Sequence, residues 1–493
     1  MSQQDQPDVI PVLLHDDKYS NRQHGGFPHL TLLNADISST VEPTKPAVLI
    51  ERGHIYIRDL KAKGYGDELI VDHGAKRSFN KAIIDEYVSV HGKTDQEKDN
   101  VIYTVNNAPE KSLMLPVKPT PRIPKQVFDK LREGNYTVIS EKDLEQGHAS
   151  VTTSWVIVDP SHTEDDTRLL QAAINSGAKY VGLLNTEPFL ISETIFINAA
   201  ESKNVEILYG YFSEIHVDAK INQRKNPAVK NDGVLFHISS GTAEKLFIKG
   251  LRFTSDNRKK ADFTLFQNNA AQTVVFEEIR CKDSSRSYRN GKESHGQNVF
   301  FHNVDLNYFG EYPDVLLKID NQNVWARQFD IERLLDTEKE HTNAPLVIIN
   351  GGQLWVFSQK YGEHNGVYVQ TENGGKTELL SVFFNSARTN NEIKTLDNAK
   401  NFLVKGTGSK FSMTGQERIR TRFDAQGNAT KDLPHANQFG LVIHKGDTTV
   451  IKGTALPTYL KFEGFNPFQD TSYENYNRKN HFRVAGLLRI DLE

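Results

Sequence analysis

Asp305 and Asp330 lie 25 residues apart in two segments of like pattern, VFFHNVDL and VWARQFDI. Paired carboxylates are the usual equipment for cleaving a glycosidic bond: one protonates the leaving oxygen, the other activates water or attacks the sugar. If the two segments stack, these carboxylates come closer than the roughly 6.5–9.5 Å of an inverting pair unless they are offset laterally. Closeness raises one of the two pKa values, which suits a general acid. A second pair, Glu372 and Glu378, flanks Asn373-Gly374-Gly375, a turn able to bracket a substrate; a plain solvated turn is the alternative. Trp325, Trp355 and Phe300 offer flat apolar faces for sugar rings, with Arg327 between Trp325 and Asp330 as a polar contact. Each of these has a structural alternative. Charged ladders stabilise a sheet by about 0–1 kcal/mol per exposed pair, and an aromatic column is equally a surface for another part of the chain.

The elements that must position them come from a self-comparison. LFIKGLRF from Leu246, VVFEEIRC from Val274, VFFHNVDL from Val299 and VWARQFDI from Val324 align without gaps, at steps of 28, 25 and 25 residues (274 − 246, 299 − 274, 324 − 299). Each reads in-out-in, two corner residues, in-out-in. The corner pairs are Lys249-Gly250, Glu277-Glu278, His302-Asn303 and Arg327-Gln328. Looser copies are placed at Leu354, Leu379 and Phe402. Alternation sends every second side chain inward, and turns stacked at about 4.8 Å bring like residues into ladders. The second column is then Phe247, Val275, Phe300, Trp325 and Trp355; the fourth is Lys249, Glu277, His302 and Arg327; the seventh is Arg252, Arg280, Asp305, Asp330 and Lys360. Turn residues form another ladder: Asp320-Asn321, Asn350-Gly351, Glu372-Asn373 and Asp397-Asn398. A fixed step of this length is a solenoid signature. The expected fold is all-β: a right-handed, single-stranded parallel β-helix over about 180–410.

Helical signals are few. Thr163 to Gly177 has a capping-box-like Thr163–Asp166 pair and an apolar face of Leu169, Leu170, Ala173 and Ile174, which predicts a plugging helix at 166–175. Lys125 to Glu133 predicts a second short helix. Residues 30–72 carry strand-like runs worth two or three further turns, and four prolines in 111–125 favour extended chain. The chain therefore divides into a partial first β-helix at 1–115, a Pro-rich linker at 116–160, a second β-helix at 161–410 and a C-terminal β extension or cap at 411–493.

Composition narrows the function. Of 493 residues 37% are apolar, which with 33 glycines is a globular usage. A net charge of −4 makes no general case for nucleic acid or an anionic membrane, and no run approaches a membrane span. Cys281 alone forms no intramolecular disulfide and no cysteine zinc site. No HExxH, EF-hand or GxSxG pattern occurs.

Residues 164–197, EDDTRLLQAAINSGAKYVGLLNTEPFLISETIFI, resemble the opening of the pectate-lyase-like β-helix superfamily, in which an acidic DDT begins a helix that plugs the first turn. The tandem layout, together with VWARQFDIE at 324–332 and TENGGKTELL at 371–380, resembles glycoside hydrolase family 55 and its bacterial relatives. The glycine-rich GDG usual before the acidic pair is Pro160-Ser161-His162 here, and the first half carries few turns. The resemblance implies a polysaccharide or oligosaccharide partner and a glycoside hydrolase acting on a β-glucan-like chain. Asp330, Glu378, Glu372 and Asp305 are then the catalytic candidates, and Trp325, Trp355, Phe300 and Arg327 the substrate-binding ones. No metal or cofactor is expected for a hydrolase. A polysaccharide lyase is the alternative, using calcium with Asp305, Asp330, Arg327 and Lys360 as imitators of its site; a non-catalytic glycan-binding or tail-fibre-like protein is another. The expected location is extracellular or periplasmic, with the signal outside this chain. Neither a nucleic-acid nor a membrane partner is expected.

Overall fold

The computed structural model describes most of residues 29–90, 112–145 and 151–422, with strands at 2–3, 12–14, 102–103 and between 441 and 492. The longest segments outside that description are 15–28, 91–101, 104–111, 222–232, 334–343, 387–401, 423–440 and 464–477. The chain is a parallel β-solenoid. Long strands such as Lys245–Ser255, Thr273–Cys281, Asn298–Tyr308, Asn323–Arg333 and Gln353–Tyr361 stack in one sheet. Short strands such as Thr264–Asn268, Leu317–Asp320 and Val347–Asn350 stack in a facing ten-stranded sheet.

The register follows the gapless alignment. Val274, Val299 and Val324 are partners on successive turns, as are Phe276, Phe301 and Ala326. The inward residues of all four segments are buried in one continuous core. Its rings stack along the axis, Phe276 on Phe301 at 5.1 Å and 12°. The second residue of each corner pair is left-handed: φ is 70° at Gly250, 57° at Glu278, 54° at Asn303 and 50° at Gln328. One such residue between extended neighbours bends a strand without ending it.

The turn ladder also forms. Asp320, Asn350 and Glu372 are successive partners. Asn350 Nδ2 donates to Asp320 Oδ1 (2.7 Å) and Asn373 Nδ2 to Asn350 Oδ1 (2.6 Å). The fourth expected member, Asp397-Asn398, lies outside the described residues; Lys405 takes that place. Two of the looser copies are corrected. Leu379 pairs with Val356, so the first position of its turn is Thr377, two residues earlier. A polar residue at an inward site hid the match; Thr377 is buried and shares a hydrogen bond with Thr371 (2.7 Å). Phe402 belongs to the short-strand sheet, and the long strand following is Lys410–Arg422.

The plugging helix is Thr167–Asn175, with Leu169, Leu170, Ala173 and Ile174 buried. Thr163 lies outside the described residues. Asp166 pins rather than caps: its carboxylate accepts from the Leu190 amide (2.9 Å) and its amide donates to the Leu190 carbonyl (2.7 Å). Gln171 mimics a strand against Phe196, donating to its carbonyl (3.0 Å) and accepting from its amide (2.8 Å). Helix α1, Lys125–Arg132, follows Pro124. Tyr136–Ile139 and Trp155–Val158 already pair in parallel at the head of the long-strand sheet, inside the segment read as linker.

The first coil has its own core around Ile55, Ile57, Leu60 and Tyr87. Parallel strands His29–Leu33, Asp36–Ser39 and His54–Lys63 end against antiparallel Ile83–Val90. The second coil ends in the same way, with Lys410–Arg422 pairing antiparallel to Arg478–Asp491. Among the described residues no helix is long and apolar enough to cross a membrane.

Candidate functional site

The corner divides the outward surface of the long strands into two faces. Before the corner lies the second column, and the chain at 113–118 runs across it. Proline removes the amide donors that an added strand would need. The strap is instead held by side chains. Trp325 Nε1 donates to the Pro116 carbonyl (2.8 Å), Arg327 donates to the Lys118 carbonyl and the Leu113 amide donates to Ser412 Oγ (3.1 Å). Phe300, Trp325 and Trp355 are buried there with Tyr56, Val88 and Leu115 in a core joining the two coils. The expectation that they stack on sugar is corrected: at 3%, 1% and 1% exposure they have no face to offer. Arg327 stacks on Trp355 (4.8 Å) and donates to Thr120 (3.2 Å).

Glu378 belongs to this column, because Trp355 pairs with Glu378 and Glu378 with Ser412. It is fully buried. Arg58 donates to it at 2.7 Å, the Met114 amide at 2.9 Å and the Leu115 amide at 3.2 Å. Burial raises its carboxyl above the ordinary value, against the pull of Arg58. Three converging N–H donors favour the ionised form, and the pair is a buried ion bridge between the coils. Glu378 is therefore a structural staple rather than an acid open to substrate. Tyr56 extends the staple, donating to Glu86 at 2.6 Å.

Beyond the corner the seventh column is open. Asp305 and Asp330 are register partners, as are Asp330 and Lys360, and Asn307 pairs with Glu332. Lys360 Nζ lies 3.3 Å from Asp330 and 3.4 Å from Glu332. Asp305 is held by Arg280 (3.1 Å) and by Asn307 Nδ2 (2.5 Å). Asp330 Oδ1 is buried with no hydrogen-bond partner. Burial, against the pull of Lys360 and with help from Glu332 and Asp305, lifts the Asp330 carboxyl to about 6. Burial likewise raises Asp305. Burial lowers Lys360, but Asp330 and Glu332 outweigh it and its pKa rises.

Long strands lead to short ones through segments such as 334–346 and 387–401, whereas the return corners include the two-residue turns 321–322 and 351–352. Glu372 lies on the short-strand sheet, bound to Lys405 (2.7 Å) and Gln370 (2.8 Å), so the structure does not bring it to Asp330. Arg327 and His302 line a separate cleft of about 720 Å³ under Thr120 and Phe128.

Two contributors escaped sequence reasoning. Glu332 is two residues past Asp330 and just beyond the eight-residue segment; continuing the alternation would have found it. Arg58 follows buried Ile57 in an alternating strand, but its partner lies 320 residues away. Among the described residues no group of three His, Cys, Asp or Glu side chains is placed to hold a metal ion. No protein-family model matches the chain, and no characterised protein matches it in sequence.

Proposed function

We propose that the protein is a polysaccharide hydrolase in which Asp330 is the general acid and the open face beyond the corner is the substrate groove. Asp330 carries the reading: a carboxyl on the outward face, with a buried, unpartnered oxygen, titrating at about 6. Such a group stays partly protonated near neutrality and can give its proton to a leaving oxygen. Glu332 or Asp305, as carboxylate, serves the water or the developing positive charge, and Lys360 sets their charge balance. β-Solenoids are common among carbohydrate-active proteins. The likeness of 164–197 to the pectate-lyase-like superfamily, and of the tandem layout, 324–332 and 371–380 to family 55 glycoside hydrolases, favours a β-glucan-like substrate outside the cell.

The test is incubation with a neutral β-glucan and with a uronate polymer, following reducing ends and ultraviolet absorbance. The reading expects reducing ends from the neutral polymer, and a loss of 10²–10⁴-fold in turnover for Asp330→Asn, on the scale of general-acid catalysis. Activity should fall as pH rises through about 6, because the acid must hold its proton. An absorbing unsaturated product from the uronate polymer would replace hydrolysis by elimination. Binding of either polymer without turnover would replace catalysis by recognition.

A further inference from the structure

The first long strand of the second coil, Ile207–Val217, carries a bulge unlike any corner after it. Tyr209 pairs with Lys249 and Ser213 with Leu251, so Gly210, Tyr211 and Phe212 stand opposite Gly250 alone. Tyr211 and Phe212 are both left-handed, at φ 44° and 66°. Two bulky residues in succession in that region are strained, and such strain persists where a site requires it. The neighbouring turn makes room. A Cβ on Gly210 would lie 2.1 Å from the Leu251 side chain, and Gly250 lies under the Tyr211 and Phe212 amides.

The strain serves no burial. Tyr211 is 69% exposed and Phe212 49%. Arg252, a seventh-column residue, places its guanidinium 5.5 Å from the centre of the Phe212 ring. Glu214, its partner in that column, accepts from Thr254 (2.7 Å). Two solvent-facing rings edged by a guanidinium and a carboxylate match a sugar, whose C–H face stacks on aromatics and whose hydroxyls bond to charged groups. The seventh column runs Glu214, Arg252, Arg280, Asp305, Asp330, four steps or roughly 19 Å at the strand spacing.

We infer that Tyr211 and Phe212 form a distal sugar-stacking platform that holds a polysaccharide chain lying along the seventh column toward Asp330. The inference rests on the hydrolase reading for its direction along the groove, though not for binding itself.

The test is affinity electrophoresis through gels containing mixed-linkage β-glucan or polygalacturonate. Variants Tyr211→Asn and Phe212→Asn are used singly and together, because Asn accepts the left-handed conformation and keeps the fold. Circular dichroism and melting confirm folding. The inference expects the double variant to lose at least tenfold in apparent affinity for the retarding polymer. A folded double variant retained like the parent overturns it, as does a parent retained by neither gel. A parent dimer that the double variant loses, with retention unchanged, makes the rings a contact between copies and also overturns it. If the double variant keeps both retention and turnover, the platform fails while the hydrolase reading stands. If the parent binds through these rings without turnover, the hydrolase reading fails while the platform stands.

Discussion

The two outward faces of the long strands differ by one left-handed residue and serve opposite ends. Before the corner, Phe300, Trp325, Trp355 and Glu378 are sealed under the strap at 113–118; Trp325 donates to that strap, Glu378 is held by it and by Arg58, and Trp355 Nε1 is buried without a hydrogen-bond partner. Beyond it, Asp305, Asp330 and Glu332 face outward around Lys360, with one Asp330 oxygen unpartnered. Aromatic residues at regular spacing thus mark adhesion between coils, whereas carboxylates that face one another across adjacent strands mark the place where burial and charge conflict. A stable surface would alternate sign along a ladder, as Lys249 and Glu277 do at 3.1 Å on the fourth column.

The sharpest break of this comparison is between inward and outward positions on one strand. Phe301→Asp places an unpaired charge in the coil interior and should prevent folding, whereas His302→Asp, on the half-buried outward side, should leave a folded protein. Circular dichroism decides it, and equal outcomes for the two would contradict the register. Next in size is the covered face itself. Arg58→Ala leaves Glu378 buried and unpaired by charge and should cost about 3–5 kcal/mol, with the strap more readily cut by protease. The double variant Arg58→Met/Glu378→Met should recover most of that loss in urea unfolding. Failure to recover would mean that the amide bonds from Met114 and Leu115 to Glu378, more than the ion pair, hold the coils together.

The open face should answer in the opposite direction. Asp330 titrates at about 6 in the folded chain against about 3.9 unfolded, so the native state holds its proton more tightly. The stability this provides is fully present below about pH 4 and is lost as pH rises through about 6. Asp330→Asn removes that loss. It should stabilise by about 1–2 kcal/mol at pH 8, allowing for screening of a side chain 31% exposed, and change little at pH 3.5. Destabilisation at pH 8 would make Asp330 an ordinary partner of Lys360.

Repeats made the fold legible. The inward set, the corner pairs, the columns and the plugging helix all follow from period and alternation, because each turn repeats one local pattern and register carries it along the axis. The pattern failed at Thr377, where an inward residue is polar, and that slip of two hid Glu378 in the covered column. The site was half legible for a related reason. Alternation says that Trp325 and Asp330 both point outward, but not which outward face another part of the chain will cover. That depends on contacts such as Trp325 with Pro116, 209 residues apart, which no local pattern records.

The smallest expected effect tests the corner that separates the faces. Gln328 is exposed, at φ 50°, where the equivalent residue of an earlier turn is Gly250. A side chain in that region costs about 1–2 kcal/mol, part of which glycine gives back as unfolded-state entropy. Gln328→Gly should therefore raise stability by up to about 1 kcal/mol, read as a higher urea midpoint at unchanged slope. A lower midpoint would mean that the Gln328 side chain stabilises the corner by more than its left-handed backbone costs. An unchanged slope matters as much as the midpoint. It would show that relaxing the corner leaves the same surface buried, with the covered and open faces still divided at the same residue.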